Sequence, residues 1–444
     1  MRGEGVNKLG FASKLEKDSI SLQAKMILPN DFEHYFRERW RSEDVEALLA
    51  GLDGEPSVSI RVNPKRLPAD AEPEGADGRV PWCPEGFYLK ERPPFTADPL
   101  LHAGAYYVQE ASSMFLSHVV RTVALGETPK ATVALDLCAA PGGKSTLLRS
   151  LLPDDCLLVS NEPLRARAQV LAENLAKWGH PNVLVTQTYA RDIAKALKGK
   201  QFFDLILADV PCSGEGMMRK EEEAVRQWSP AFVAECAALQ RSIIEDIWPA
   251  LRPGGVLIYS TCTFNPEEDE ENVEWIAHEL GADILPVPIE PAWGIKGDMR
   301  AQAKNDELRM TNDESGINHQ FFHFLPGQVR GEGFFCAVLR KAGESGQSSK
   351  KSDFIASLSK LPALPTDPLD APEAPYAELS LTDAVRYLQR EALVLPPDVP
   401  RGIVQVGFQG HRLGLVKNLG TRANNLYPKE WRIRSSFITP HTLF

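Results

Sequence analysis

Five short apolar runs alternate with helical patterns between residues 133 and 262, and that alternation restricts the fold of this 444-residue chain more than any other feature. The runs are VALDLC (133–138), CLLVSNE (156–162), NVLVTQT (182–188), FDLILADV (203–210) and GGVLIYSTC (254–262). They are short and nearly continuous in apolar residues, as strands buried on both faces must be. Between them, Ser145 to Leu152, Pro163 to Trp178, Pro230 to Leu251 and Pro266 to Leu280 carry apolar residues at helical spacing. This order predicts an α/β fold, a doubly wound and mostly parallel sheet with helices on both faces and ligands at the carboxyl ends of the strands. HQFFHFLPG (319–327) and GEGFFCAVLRK (331–341) are expected to close the sheet as a terminal hairpin.

The flanking segments read differently. Phe32, Tyr35, Phe36, Trp40, Val45, Leu48 and Leu49 predict a packing helix over 28–55, Ser59 to Pro64 alternates like a strand, and a further helix is expected from Tyr106 to Val123. GESGQSSKKS (343–352) and the proline-rich run at 361–375 predict an extended linker. Beyond it come a helix from Leu381 to Ala392 and Gly-punctuated short strands over 402–428. The expected organisation is a small N-terminal α+β subdomain (1–105), a main domain (106–342), a linker (343–378) and a C-terminal β-rich module (379–444).

With 43% hydrophobic and 25% charged residues, the composition excludes disordered and collagen-like chains. Seven cysteines without a CxxC pair argue against a disulfide framework or zinc ribbon, so no metal is expected and a reducing compartment is favoured. The N-terminus has no apolar stretch of signal-peptide length, and no window is long enough to span a membrane. A cytoplasmic monomer is expected. The net charge of −11 argues against a nucleic-acid partner, but Val399 to Phe444 holds seven basic residues against the single acid Glu430.

Three loops carry the candidate chemistry. In LDLCAAPGGKST (135–146) a strand meets the small residues Cys138, Ala139, Ala140, Pro141, Gly142 and Gly143 before a helix starts near Lys144, which lets a ligand approach amides at a helix N-terminus. A tight turn without a ligand is the plainer reading. Glu162 ends the next strand, where doubly wound nucleotide sites place a carboxylate on a ribose diol, and where an acid also caps a helix. Asp192, after the third strand, is a weaker candidate for contacting an adenine. DVPCSGEGMMRK (209–220) brings Asp209 and Cys212 to the fourth strand end, and STCTFNPEE (260–268) brings Cys262 to the fifth. One strand-end cysteine is usually a small buried hydrophobe, but two on adjacent strand ends beside an acid read as chemistry. Asn265 as N-cap and Pro266 at the first helical position make Glu267, Glu268, Asp269 and the Glu271-Asn272-Val273 triplet read as helix-terminus electrostatics.

Taken together, LDLCAAPGGKST, DVPCSGEG and YSTCTFNPEEDEEN resemble the RNA (cytosine-5)-methyltransferases. The MMRK tail, SIRVNP, YYVQEASSM and the C-terminal module are most similar to the bacterial RsmF group, which acts on small-subunit ribosomal RNA. This resemblance covers nearly the whole chain. It implies a Rossmann-like methyltransferase core, a PUA-like RNA-binding module and 16S ribosomal RNA as substrate. It further implies that Cys138 to Lys144, Glu162 and Asp209, with Asp192, hold S-adenosylmethionine, that Cys262 is the nucleophile, and that Cys212 assists product release. Addition of a thiolate to carbon 6 of cytosine activates carbon 5, and Asp209 suits the proton donor that ring nitrogen 3 then needs. Lys144 is a candidate to support these groups, by lowering a thiol pKa or contacting the base; a phosphate contact or plain solvation explains it equally well. Arg412, Lys417, Arg422, Lys429, Arg432 and Arg434 would meet phosphates while Phe408, Tyr427 and Trp431 stack on bases; a solvated face of a small domain is the plainer reading. Arg61, Asn63, Gln109 and Glu110 are either further RNA contacts or parts of a packed subdomain. The rivals are a non-catalytic RNA-binding assembly factor and an adenine-N6 or DNA methyltransferase; DVPC in place of an amide-Pro-Pro-aromatic turn argues against the adenine enzyme.

Overall fold

The computed structural model describes residues 28–434 and 440–444, apart from residue 69 and the segments 125–131, 302–310, 314–315, 344–350 and 367–370. The N-terminal stretch read above for a signal segment lies outside the described residues, as does most of GESGQSSKKS.

Each of the five apolar runs is a strand: β1 Val133–Asp136, β2 Leu157–Asn161, β3 Val183–Thr186, β4 Phe203–Asp209 and β5 Leu251–Thr261. Five helices alternate with them or follow: α1 Gly143–Leu151, α2 Arg165–Trp178, α3 Ala190–Leu197, α4 Pro230–Ile247 and α5 Glu270–Glu279. The uniform apolarity of the strands follows from two-sided burial. On β4, Leu205 and Leu207 face one core with α1, while Ile206 and Ala208 face another with α3, α4 and α5.

The five strands are parallel in the order β3-β2-β1-β4-β5. The order reverses at β1, which lies between β2 and β4. Past β5 the sheet turns antiparallel: Phe334–Lys341 (β8) pairs β5 and also carries Ala282–Ile284 (β6) and Phe321–Phe324 (β7), so the expected terminal hairpin closes this edge.

Several expectations differ from the structure. α3 was not anticipated, being short, with only Ile193 and Leu197 fully buried on a polar background. The helix expected over 28–55 is two helices, Phe32–Arg39 and Ser42–Leu52. Between them Trp40 is extended and bridges to Arg300. The helix expected from Tyr106 to Val123 begins as a strand, Tyr106–Val108, paired with Val58–Val62 in a four-stranded N-terminal sheet; helical turns start only at Ser112. The expected extended linker packs back on the main domain. Lys351–Leu358 is a helix whose Phe354 is fully buried against Phe202 and Phe203, with ring centroids 5.0 and 5.4 Å away. Ala363–Leu364 (β9) then pairs antiparallel with β3.

The C-terminal module is a four-stranded sheet with the helix Leu381–Leu388. Its core is continuous with that of the N-terminal subdomain: Val404, Val406 and Tyr387 belong to one cluster with Ile60, Phe87 and Tyr106. Leu443 donates its amide to Asp98 of the N-terminal subdomain at 3.0 Å. Because Phe354 belongs to the main core, Phe354→Ala is expected to lower the unfolding free energy by about 3–5 kcal/mol in denaturant titration. A side chain on a free linker would leave it unchanged.

Candidate active site

Three strand ends converge where the strand order reverses. β1 lies beside β4, and β4 beside β5 with Asp209 opposite Ser260. The loops after β1, β4 and β5 therefore open on one edge.

In the first loop the two glycines are favoured for different reasons. Gly142 has φ of 117°, in the left-handed region where a side chain is strained. Gly143 lies where a Cβ would come within 3.2 Å of the Tyr107 ring. Arg61 braces the turn from below, donating to Thr146 Oγ1 at 2.6 Å, Gln109 Oε1 at 2.8 Å and Gly143 O at 3.3 Å. Arg61, Asn63 and Gln109 are buried, and the Glu110 carboxylate accepts from the amides of Ser112, Ser113 and Glu332. Of the two readings left open for these four residues, the structure takes the packed one.

Two acids flank the loop. Asp136, which sequence reasoning passed over as a strand residue, is fully buried and accepts from Ser145 Oγ at 2.6 Å; its second oxygen has no partner among the described residues. Burial, opposed by the Ser145 bond and reinforced by the Asp209 and Glu162 charges, pushes its pKa up to about 7. Glu162 is buried at the end of β2, accepts from Leu164 N at 2.9 Å and pairs with Arg167 at 3.2 Å; burial raises its pKa. Its carboxylate thus caps the turn into α2, which starts at Arg165 rather than Pro163. Asp192 stands apart, in the first turn of α3, 39% exposed and 3.6 Å from Lys195.

The second and third loops bring the reactive groups together. Lys144 donates to Asp209 Oδ2 at 2.8 Å, and Ser260 Oγ to the other oxygen at 2.9 Å. Burial opposes the Lys144 charge, yet the adjoining Asp209 carboxylate prevails and raises its pKa. The free thiols Cys212 and Cys262 lie with their sulfurs 3.1 Å apart, and the Cys262 amide donates to Cys212 Sγ at 3.3 Å. The neighbouring Cys262 sulfur, together with burial, lifts the Cys212 thiol well above a free cysteine. An ammonium–carboxylate pair beside two thiols can relay a proton and present a soft nucleophile.

The acid run after Cys262 is not the exposed first turn expected. α5 starts at Glu270, four residues later than read, and Glu268, Asp269 and Glu270 are fully buried. Asn265 caps the intervening turn, accepting from Glu268 N at 2.9 Å. Glu267 is half-buried and binds Arg39 and the Tyr35 hydroxyl, and Glu271 is exposed. In the C-terminal module, Phe408 and Tyr427 are core residues, unavailable for stacking, and Trp431 is half-buried with Lys177 5.6 Å from its ring. The basic residues Lys417, Arg422, Lys429, Arg432 and Arg434 are exposed.

An open sheet whose order reverses at a glycine loop, ending in an antiparallel hairpin, is the Rossmann-like core of a methyltransferase. Residues 123–340 match the family described as 16S rRNA methyltransferase RsmB/F. The N-terminal domain of 16S rRNA methyltransferase RsmF matches residues 28–111, and the methyltransferase RsmF PUA domain residues 375–433. Ribosomal RNA small subunit methyltransferase F of Cronobacter sakazakii is 38% identical over 64% of this chain and 56% of its own length. That of Pectobacterium atrosepticum is 34% identical over 71% of this chain and 63% of its own. The chain therefore spans less than two thirds of either relative. Among solved structures, a methyltransferase homolog from Pyrococcus horikoshii is 27% identical with a TM-score of 0.52, covering 69% of this chain and 93% of that one. NSun6 from the same organism, solved with SFG, has a TM-score of 0.54 at 21% identity over 71% and 99% of the two chains, a likeness of fold.

The raised Asp136 pKa fixes a sign. Between pH 4 and 7 the folded carboxyl holds a proton that the unfolded one has lost, so its share of stability falls as pH rises, by at most about 1.4 kcal/mol per unit. Asp136→Asn should flatten the decline in unfolding free energy across that window in denaturant titrations. An unchanged slope would contradict the burial assigned to this group.

Proposed function

We propose that the protein transfers a methyl group from S-adenosylmethionine to carbon 5 of a cytosine in RNA, with 16S ribosomal RNA as substrate, through a covalent bond between Cys262 and the base. The observation that carries this reading is the 3.1 Å contact between Cys212 and Cys262 beside the Lys144–Asp209 pair.

The residues around the first loop fit the cofactor. The small residues from Cys138 to Gly143 leave room over the α1 N-terminus, and the buried acids Asp136 and Glu162 stand at the ends of β1 and β2 for its amino and hydroxyl groups. Asp209 borders the same space, and Asp192 is a peripheral candidate for the adenine. When bound, S-adenosylmethionine supplies the electrophilic methyl group.

The division of labour between the cysteines is the one the family resemblance implies. Either sulfur can donate in their 3.1 Å contact, and the neighbouring Cys262 sulfur together with burial favours the protonated form of Cys212. Cys262 is the nucleophile. Its thiolate adds to carbon 6, and the displaced electron pair is matched by a proton delivered to nitrogen 3 from Asp209, which draws on Lys144 across their 2.8 Å bond. Once Cys262 is a thioether, Cys212 is the thiol that remains beside the base. Cys212 then loses its proton to water and takes the one on methylated carbon 5. The bond from carbon 6 to Cys262 breaks, and nitrogen 3 returns its proton to Asp209. A flipped, unstacked cytosine is the form of the base that such a site admits, and the exposed basic residues of the C-terminal module suit contacts with RNA phosphates.

The cysteines should therefore fail differently. With RNA containing the target cytosine, Cys262→Ala neither methylates nor forms an adduct on a denaturing gel, whereas Cys212→Ala accumulates a protein–RNA adduct. The reverse pattern would exchange the two roles. Isothermal titration should show Glu162→Ala and Gly142→Arg losing affinity for S-adenosylmethionine; wild-type binding by both would place the cofactor elsewhere.

A further inference from the structure

The two thiols belong to different chain segments, so their separation is only as well defined as the link between those segments. That link is built largely on two buried carboxylates. Glu215, in the Cys212 loop, accepts from the Cys262 segment through Phe264 N at 2.6 Å, Asn265 N at 3.1 Å, Asn265 Nδ2 at 2.9 Å and the Thr263 hydroxyl. It also accepts from Trp228 Nε1 at 2.8 Å and Ser213 Oγ at 3.3 Å. Glu268, in the Cys262 segment, reaches the other way, accepting from Ser213 N at 3.1 Å, Gln240 Nε2 at 2.6 Å and Asn265 Nδ2 at 2.8 Å. The arrangement is crossed. Each carboxylate holds the residue that directly follows the cysteine of the opposite segment, Thr263 after Cys262 and Ser213 after Cys212.

Other contacts support the same junction. Gly216 N donates to Cys262 O at 2.9 Å, and a Cβ on Gly216 would meet Gly333 at 2.6 Å, so the loop lies hard against the segment leading into β8. Neither Glu215 nor Glu268 has a Lys or Arg counter-ion among the described residues. Burying two acids this way is costly compared with apolar packing of the same volume. What they supply is acceptor capacity: both oxygens of a carboxylate accept, whereas a glutamine would set its own amide hydrogens against the donors.

We propose that Glu215 and Glu268 are positioning residues, a reciprocal clamp that fixes the Cys212 sulfur against the Cys262 sulfur and so sets both the attack on the base and its release. The proposal rests on the roles given above to the two cysteines. A displacement of about 1 Å between reacting groups costs on the order of 100-fold in rate. Glu215→Gln and Glu268→Gln should therefore lower kcat roughly 10- to 100-fold with the KM for S-adenosylmethionine and for RNA unchanged.

A second readout needs no RNA. Diamide, a diazene oxidant, closes a disulfide from two neighbouring thiols, whose hydrogens pass to its two nitrogens. The Cys212–Cys262 disulfide, followed by peptide mass spectrometry, should form rapidly in the wild type and more slowly in both Gln variants. Should either Gln variant fail to fold, Thr263→Val and Ser213→Ala each remove a hydroxyl from the clamp, and both should slow crosslinking and turnover to a smaller degree. Folded Gln variants with wild-type kcat and wild-type crosslinking rate would overturn the proposal, as would a loss confined to the melting temperature. If the wild type methylates no cytosine, the reaction assigned above fails, while the crosslinking rates still decide the clamp.

Discussion

The parallel pairing of β4 with β5, in the register that sets Asp209 opposite Ser260, is the constraint on which the rest of the site depends. It places the Asp209 carboxylate against the Ser260 hydroxyl and starts the two cysteine loops side by side. Side chains alternate along a strand, so a slip of one residue would send each of these groups to the opposite face of the sheet. The register is held by apolar alternation: Leu205 and Leu207 are committed to one core, Ile206 and Ala208 to the other. Packing that has no chemistry of its own thus fixes the chemistry. β1, on the other side of β4, completes the edge by bringing Lys144 within hydrogen-bonding distance of Asp209.

Beneath this edge lies a polar layer that no apolar core could replace. Glu215, Glu268, Asn265, Gln240, Tyr259 and Asn272 bond to one another or to the same partners, all fully or almost fully buried. Burial pushes Glu268 up to about 7, helped by the Glu215 charge, and raises Glu215 as well. A network of this kind contributes little net stability but admits few alternative arrangements, because each broken bond strands a buried polar atom. The neighbouring Asp269 and Glu270 each keep one carboxylate oxygen without a hydrogen-bond partner among the described residues.

The sheet was legible because two-sided burial leaves a simple trace, a short and nearly continuous apolar run. The strand-end loops were legible for a related reason: small residues and paired cysteines are unusual at such positions, and Lys144, Asp209, Cys212 and Cys262 do meet. Glu268 was misread because an acid after Asn-Pro is explained equally well by a helix dipole; nothing local distinguishes an exposed carboxylate from one buried against Gln240 of α4, 28 residues upstream. Tyr427 and Phe408 were misread in the same way, since an aromatic among basic residues looks alike whether it faces RNA or a core. Arg61 is the converse, a cation open to reading as an RNA contact that is buried under the glycine loop. The proline-rich segment after residue 343 suggested a linker, and Phe354 and Leu358 were too sparse a pattern to reveal the helix that docks on the sheet. Each error concerns what lies opposite a residue in space, the information that periodicity does not carry.

The central claim is that methylation proceeds through carbon 5 of cytosine, with loss of the hydrogen already there. Ribosomal RNA labelled with tritium at carbon 5 of its cytosines, incubated with the protein and S-adenosylmethionine, tests this directly. One tritium should pass to water for each methyl group gained, with neither event in Cys262→Ala. Methyl incorporation without release of tritium would place the methyl on another atom and contradict the account.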